Sequence, residues 1–351
     1  MHDSPAPDLH VFLPWHESIA RAWLGERARF AHAWLVHGAA GIGKIHFARA
    51  AAASLLCENP HDGLACGECQ ACLWLRHGNH PDFRAVRPDA VALQEGAPEV
   101  EEADGAEGTR KTPSREIRIE QVRGLESWAN TATHRGGLRV ALVYPANALN
   151  PYAANALLKL LEEPPAGTVF ILVVDALDSL LPTLVSRCRR IPLPLPAADL
   201  ALHWLREHGV DQPDVRLAAA GGAPMRAYRQ FQSGVEACPG WLSTVAGALA
   251  QGRLDSSAPV LAGELEKHPP GEWLDALQRL FADACLLLAG SKVRYYPQLA
   301  DAVNAMVRRF TPMAAAETFR WLAQQQRVAN HPLNARLFAH MVLTHLNTLA
   351  R

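Results

Sequence analysis

The chain has 351 residues, enough for two or three domains that each bury a core. Its formal net charge of −1 excludes a strong global attraction to nucleic acid or to anionic membranes and leaves only local patches. Hydrophobic residues make up 49%, with alanine and leucine prominent, a composition that favours helices. No apolar run approaches the roughly eighteen residues of a membrane span; the run Val169 to Val174 stops at Asp175. The opening Met-His-Asp-Ser-Pro has neither a basic nor an apolar leader region, so no signal peptide is expected and a cytoplasmic location is. Seven cysteines, four of them between Cys57 and Cys72, suit a reducing compartment and a metal site better than a disulfide framework.

In the first thirty residues, Trp15, Ile19, Trp23 and Leu24 have helical spacing and should pack on a core. Trp34-Leu-Val-His37 then reads as a buried strand. Gly38-Ala-Ala-Gly-Ile-Gly-Lys44 follows, and a helix is expected from Ile45 to Leu56. That layout is a phosphate-binding loop, where backbone N–H groups and a helix N-terminus cradle phosphate oxygens. Gly38, Gly41 and Gly43 let the backbone wrap, and Lys44 brings a point charge. Position 45 should supply a Ser or Thr hydroxyl for Mg²⁺, and it is Ile45.

The spacing Cys57-x8-Cys66-x2-Cys69-x2-Cys72 matches a closed tetrahedral structural zinc site. Four thiolates leave no open position for catalysis. His61, His77 and His80 could substitute as ligands but are expected on the surface. A strand is expected at residues 81–86, and residues 94–116, rich in Gly, Pro, Glu and Ala, read as a disordered surface insertion.

Order resumes at Ile117 with a helix from Glu120 to about Thr131, then a buried strand from Leu138 to Tyr144. Ala154, Leu157, Leu158 and Leu161 mark a helix that Pro164-Pro165 must end. Thr168 to Val174 is a fully apolar strand, Leu180 to Ser186 a short helix, and Ile191 to Leu195 an edge strand. Strands alternating with helices predict a parallel sheet covered on both faces. Beyond residue 195 the pattern is helical, with Trp273, Leu277, Leu280, Ala284 and Leu287 on one face and Phe319 and Leu322 on another. Three domains are expected: 1–195 with the cysteine module at 57–72, a helical unit at 196–234, and a helical domain at 235–351. Arg294-Tyr295-Tyr296 and Arg308-Arg309-Phe310 are expected as solvated faces with buried rings, without base contacts.

A working nucleotide site also needs a carboxylate at the end of a buried strand, but the strand ending at Tyr144 runs into Pro145-Ala146-Asn147. With neither this acid nor a hydroxyl at Ile45, Mg²⁺ loses the protein groups that hold it, so nucleotide affinity should be weak and hydrolysis absent or very slow.

Ala153-Ala-Asn155-Ala-Leu-Leu-Lys159-Leu-Leu-Glu162-Glu163-Pro-Pro165, Leu180-Leu-Pro-Thr-Leu-Val-Ser186-Arg187-Cys188 and Ile117-Arg-Ile-Glu-Gln-Val-Arg123 resemble the bacterial clamp-loader subunits of the AAA+ class. The likeness runs over residues 30–195, includes the four cysteines, and continues beyond as helical character alone. It implies a P-loop NTPase-like α/β fold, a small helical lid and a helical collar. It also implies a hetero-pentamer with the motor (tau/gamma) and delta subunits, which opens a sliding clamp and places it on primed DNA. In the family the arginine of the Ser-Arg-Cys motif, here Arg187, reaches in trans to ATP held by a neighbouring motor subunit. The motors carry an Asp-Glu pair where this chain has Pro145-Ala146, a polar sensor where it has Val174, and a lid arginine where it has Met225, with Arg226 one position away. These departures point to the rigid non-motor member, which has no polymerase site and no expected ATPase of its own. The competing readings are a self-sufficient AAA+ ATPase, opposed by Ile45 and Pro145, and a zinc-dependent nucleic-acid-binding protein, opposed by the neutral charge.

Overall fold

The computed structural model describes residues 8, 10–25, 30–96, 113–134, 137–329 and 334–349. Two compact units divide the chain, Met1–Leu200 and Ala201–Arg351.

The first unit is built on five parallel strands, β1 (Ala33–His37), β2 (Phe83–Val86), β3 (Arg139–Val143), β4 (Thr168–Val174) and β5 (Arg189–Pro192), in spatial order β2-β3-β4-β1-β5. Every residue of β3 and β4 is buried; after Arg139 and Thr168 at their starts both are apolar runs, as suits strands covered on both faces of a parallel sheet. β4 pairs with β1 so that His37 lies opposite Val174, and their carboxyl ends finish side by side. The last strand starts two residues earlier than its apolar run suggests. Arg189 and Arg190 pair through their backbone with Trp34 and Leu35 while their side chains stay exposed, as suits an edge strand.

Helices cover the sheet: α1 (Glu17–Gly25), α2 (Lys44–Leu56), α3 (Gln70–Arg76), α4 (Asp89–Gln94), α5 (Ile119–Ala129), α6 (Pro151–Glu162) and α7 (Pro182–Arg187). α2 buries ten residues, including the alanine run Ala50 to Ala53. Ser54, deep in this helix, is satisfied by donating to the Ala50 carbonyl (2.9 Å) and accepting from the Ala65 N–H (3.0 Å). α6 starts sharply because the Asn150 side chain accepts from the Ala153 N–H (2.9 Å) and Pro151 fits the first turn. Leu157, Leu161, Phe170 and Leu172 share its core with Cys188. Of the stretch read as a disordered insertion, residues 97–112 lie outside the described residues. Gln94 closes α4, and Glu95 is held by two arginines.

From α8 (Ala198–Glu207) onward every described element is a helix: α9 (Pro213–Ala219), α10 (Pro224–Gln232), α11 (Gly240–Gln251), α12 (Leu254–Leu265), α13 (Pro270–Leu288), α14 (Ala300–Val307), α15 (Pro312–Val328) and α16 (Ala335–Leu349), with one 3₁₀ turn, Pro297–Leu299, before α14. In the second unit α13 packs on α14 and α15, α12 on α16, and α11 on α12 and α14. Trp273, Leu277, Leu280 and Ala284 are buried, and Leu287 packs partly exposed beside them. The fully buried Asp283 carboxylate accepts the backbone N–H groups of Arg294 (2.7 Å), Tyr295 (2.9 Å) and Tyr296 (2.8 Å), which fixes the turn after α13. No helix among the described residues is long and apolar enough to cross a membrane.

Candidate functional site

The carboxyl ends of β1, β3 and β4 bring together the phosphate loop, Tyr144 and Asp175, at the edge where open α/β sheets bind ligands. Gly38 leaves β1 with φ 151°, and a Cβ there would lie 2.2 Å from the Leu193 carbonyl oxygen, so no other residue fits without moving the backbone. Gly43 caps α2 in a left-handed conformation (φ 96°) and brings no side-chain oxygen to the helix N-terminus. Ile42 is buried, and its carbonyl accepts the Trp15 indole N–H at 2.9 Å. Ile45 is half-buried on the first turn of α2.

Lys44 is the first residue of α2, and only 5% of its side chain is exposed. Its ammonium donates to the Ala39 carbonyl (2.7 Å) and lies 2.6 Å from the Asp175 carboxylate. Asp175 follows β4 directly. Sequence reasoning missed it, because a carboxylate after an apolar strand looks like a simple stop; only the β1–β4 pairing places it beside the loop. Val174, at the expected sensor position, is buried and apolar.

No carboxylate follows β3. The buried Tyr144 hydroxyl instead donates to Glu95 (2.7 Å) and accepts from Arg49 of α2 (2.6 Å), while Arg49 and Arg87 each reach Glu95 at 2.8 Å. Burial pushes the Tyr144 phenol well above its ordinary range, opposed by Arg49, so it remains a donor. This cluster also escaped the sequence reading, since Glu95 sits at the border of an acidic, pattern-free stretch.

Arg187 closes α7, with its side chain 36% exposed. One terminal nitrogen donates to the Thr183 carbonyl (3.1 Å), and the other pairs with the Glu162 carboxylate at the end of α6. In the sequence Glu162 stands out only as part of a motif. Cys188 next to Arg187 is buried, and burial pushes its thiol up to about 11. In the second unit Met225 is buried, and Arg226 pairs with Asp275, which Arg279 also approaches at 3.3 Å.

The four cysteines lie where α2 ends and α3 begins: Cys57 follows α2, Cys69 precedes α3 and Cys72 is within it. Their sulfurs all fall within 4.8 Å of one another, with Cys57 Sγ 3.5 Å from Cys66 Sγ and 3.8 Å from Cys69 Sγ. None is in a disulfide. Zinc–thiolate bonds of about 2.3 Å in a tetrahedron place sulfurs about 3.8 Å apart, so the cluster is compatible with zinc. Backbone N–H groups point at the sulfurs, Cys66 N to Cys57 Sγ and Cys69 N to Cys66 Sγ, both at 3.3 Å. Backbone donors, led by the Glu68 N–H, pull the Cys66 thiol down to about 6. His80 is not the surface residue expected. It is buried edge-on against Trp74 and accepts the Asp82 N–H at 3.0 Å, capping the turn before β2.

A family model described as DNA polymerase III, delta subunit, matches residues 23–196. The DNA polymerase III subunit delta' of Pseudomonas aeruginosa is 41% identical over 228 residues, covering 63% of this chain and 62% of that protein. The Escherichia coli subunit delta' is 33% identical over 204 residues, 57% of this chain and 54% of that one. The chain thus matches between half and two thirds of the length of these relatives. The tau subunit of Escherichia coli is 28% identical over 257 residues, 71% of this chain and 36% of its own length. Residues 23–196 thus match the DNA polymerase III delta-subunit family model, and the chain is similar to the bacterial delta' subunits.

Proposed function

We propose that this chain is a delta'-like subunit of a DNA polymerase III clamp loader, a catalytically defective AAA+ stator that works on a neighbour's nucleotide. The observation that carries this reading is the similarity to two delta' subunits, 41% identical over 228 residues and 33% over 204. Its partners are then the motor (tau/gamma) and delta subunits of a cytoplasmic hetero-pentamer, with the sliding clamp and primer-template DNA engaged through the complex. In this reading residues 1–195 form the AAA+ domain, 196–234 its lid and 235–351 the collar that joins the ring.

Arg187 is the residue assigned to act. A guanidinium at a γ-phosphate neutralises charge that builds in the transition state, and such a finger is worth about 10³–10⁵ in rate. The chain's own loop is unsuited to the same work. Lys44 is already engaged by Asp175, Ile45 has no hydroxyl, and no acid follows β3. Complex reconstituted with Arg187→Ala should assemble and bind ATP normally but lose most of its DNA- and clamp-stimulated ATPase. Wild-type turnover in that complex would sink the assignment.

Cys57, Cys66, Cys69 and Cys72 would hold one structural zinc, which cross-links the end of α2 to the start of α3. All four ligands come from the protein, so the ion has no position left for substrate. Metal analysis of the purified chain should give one zinc per molecule, absent in Cys66→Ser.

A further inference from the structure

The Lys44–Asp175 pair has a meaning beyond the missing magnesium ligands. We propose that Asp175 is the residue that keeps phosphate out of this loop, its carboxylate standing in for an oxyanion on Lys44, and that its removal opens a site for polyphosphate. The inference concerns the lone chain and does not depend on any ring or neighbour.

The cradle of an anion site is present. The loop backbone is folded: Gly38, Gly41 and Gly43 hold positive φ, and Trp15 fixes the Ile42 carbonyl at 2.9 Å. α2 is thirteen residues long, and no side chain caps its N-terminus. The N–H groups of its first turn carry the partial positive charge that attracts anions. Lys44 is enclosed, which strengthens its interaction with any charge placed next to it.

What the site lacks is an unneutralised cation. Lys44 has three donors; one goes to the Ala39 carbonyl and one meets Asp175. A phosphate on Lys44 must displace the carboxylate or sit against it, and like charges in contact repel. Asp175 itself is largely exposed and no other pairing of it is seen among the described residues, so the substitution should not disturb the core.

The test is calorimetric titration of the full-length chain with sodium tripolyphosphate at low salt, without Mg²⁺. Wild type should show little binding. Asp175→Asn should bind at least about tenfold more tightly, because the repulsion is gone while the cradle remains. Asp175→Ser carries the same expectation and guards against an amide that bonds Lys44 in the carboxylate's place. The double variant Asp175→Asn with Lys44→Met should fall back to wild type. Equal binding by wild type and both single variants overturns the proposal, as does tightened binding that survives the loss of Lys44. Unfolding curves of all four proteins confirm that each is folded. Failure here leaves the Arg187 assignment untouched, since that is read from ATPase of the assembled complex.

Discussion

Two cations in the first unit each face a carboxylate of their own chain, yet they differ in what they can do next. Lys44 opens α2 and is 5% exposed, with a carbonyl at 2.7 Å and Asp175 at 2.6 Å. Arg187 closes α7 and is 36% exposed, with Thr183 and Glu162 taking one donor from each terminal nitrogen. An ammonium has three N–H bonds and the guanidinium five in a planar fork, so Arg187 keeps donors for an outside ligand. Pairing alone therefore does not retire a cation; enclosure and the number of donors left over decide it.

The sharpest way to break this contrast is to remove each cation from the assembled complex. Arg187→Ala should lower stimulated ATPase by about 10³-fold or more. Lys44→Met should leave it within about twofold, since its charge is spent internally. Equal losses would mean the loop still has a catalytic part.

Next in size is Gly38→Ala. The new methyl would meet the Leu193 carbonyl oxygen in a backbone conformation that L-residues avoid, at a cost of about 2–4 kcal/mol, read as a lower unfolding midpoint. A loss under about 0.5 kcal/mol would show that the loop's shape is not built in.

A third handle is pH. His16 sits edge-on to Phe47, and burial, with His46 and Lys44 adding repulsion, pushes its imidazole down to about 3. An unfolded histidine titrates near 6.5. The folded state then binds fewer protons between these values, so stability is full above pH 6.5 and falls as pH drops toward 3. At pH 5 the loss is about 2 kcal/mol. His16→Phe should flatten that slope, and a slope that persists would place the titration elsewhere.

The smallest effect belongs to Glu162→Gln. Both partners of this pair are well exposed, so stability should change by no more than about 0.5 kcal/mol by denaturant unfolding. A larger loss would mean that Arg187 is held by its own chain no less firmly than Lys44.

The fold was legible where composition alone dictates the element. Val169 to Val174 is apolar throughout, bounded by threonine and aspartate, and with Thr168 it forms β4 over the residues expected. Proline at 164 and 165 and the apolar stripe of Leu157 and Leu161 likewise bracket α6. β5 was less legible, because two arginines pair through backbone alone and leave no hydrophobic trace. At the site, glycine spacing announced the loop, but its closing partner did not announce itself. Asp175 lies 131 positions beyond Lys44, and nothing local says that their strands are neighbours. Glu95 was hidden for the opposite reason: it is one carboxylate at the edge of many. Contacts set by strand order are invisible to periodicity, which reads only one element at a time.

The short helix α4 has a practical consequence. Glu95, at its end, is fastened to Arg49 and Arg87 at 2.8 Å, while the Ala90 N–H donates to the Ser114 carbonyl at 3.0 Å and Asp89 pairs with Arg118 at 2.9 Å. The chain therefore leaves and rejoins the same six-residue helix. An epitope or a small domain with adjacent termini spliced between residues 96 and 113 would be anchored on both sides at α4, through Glu95 on one and through Ala90 and Asp89 on the other.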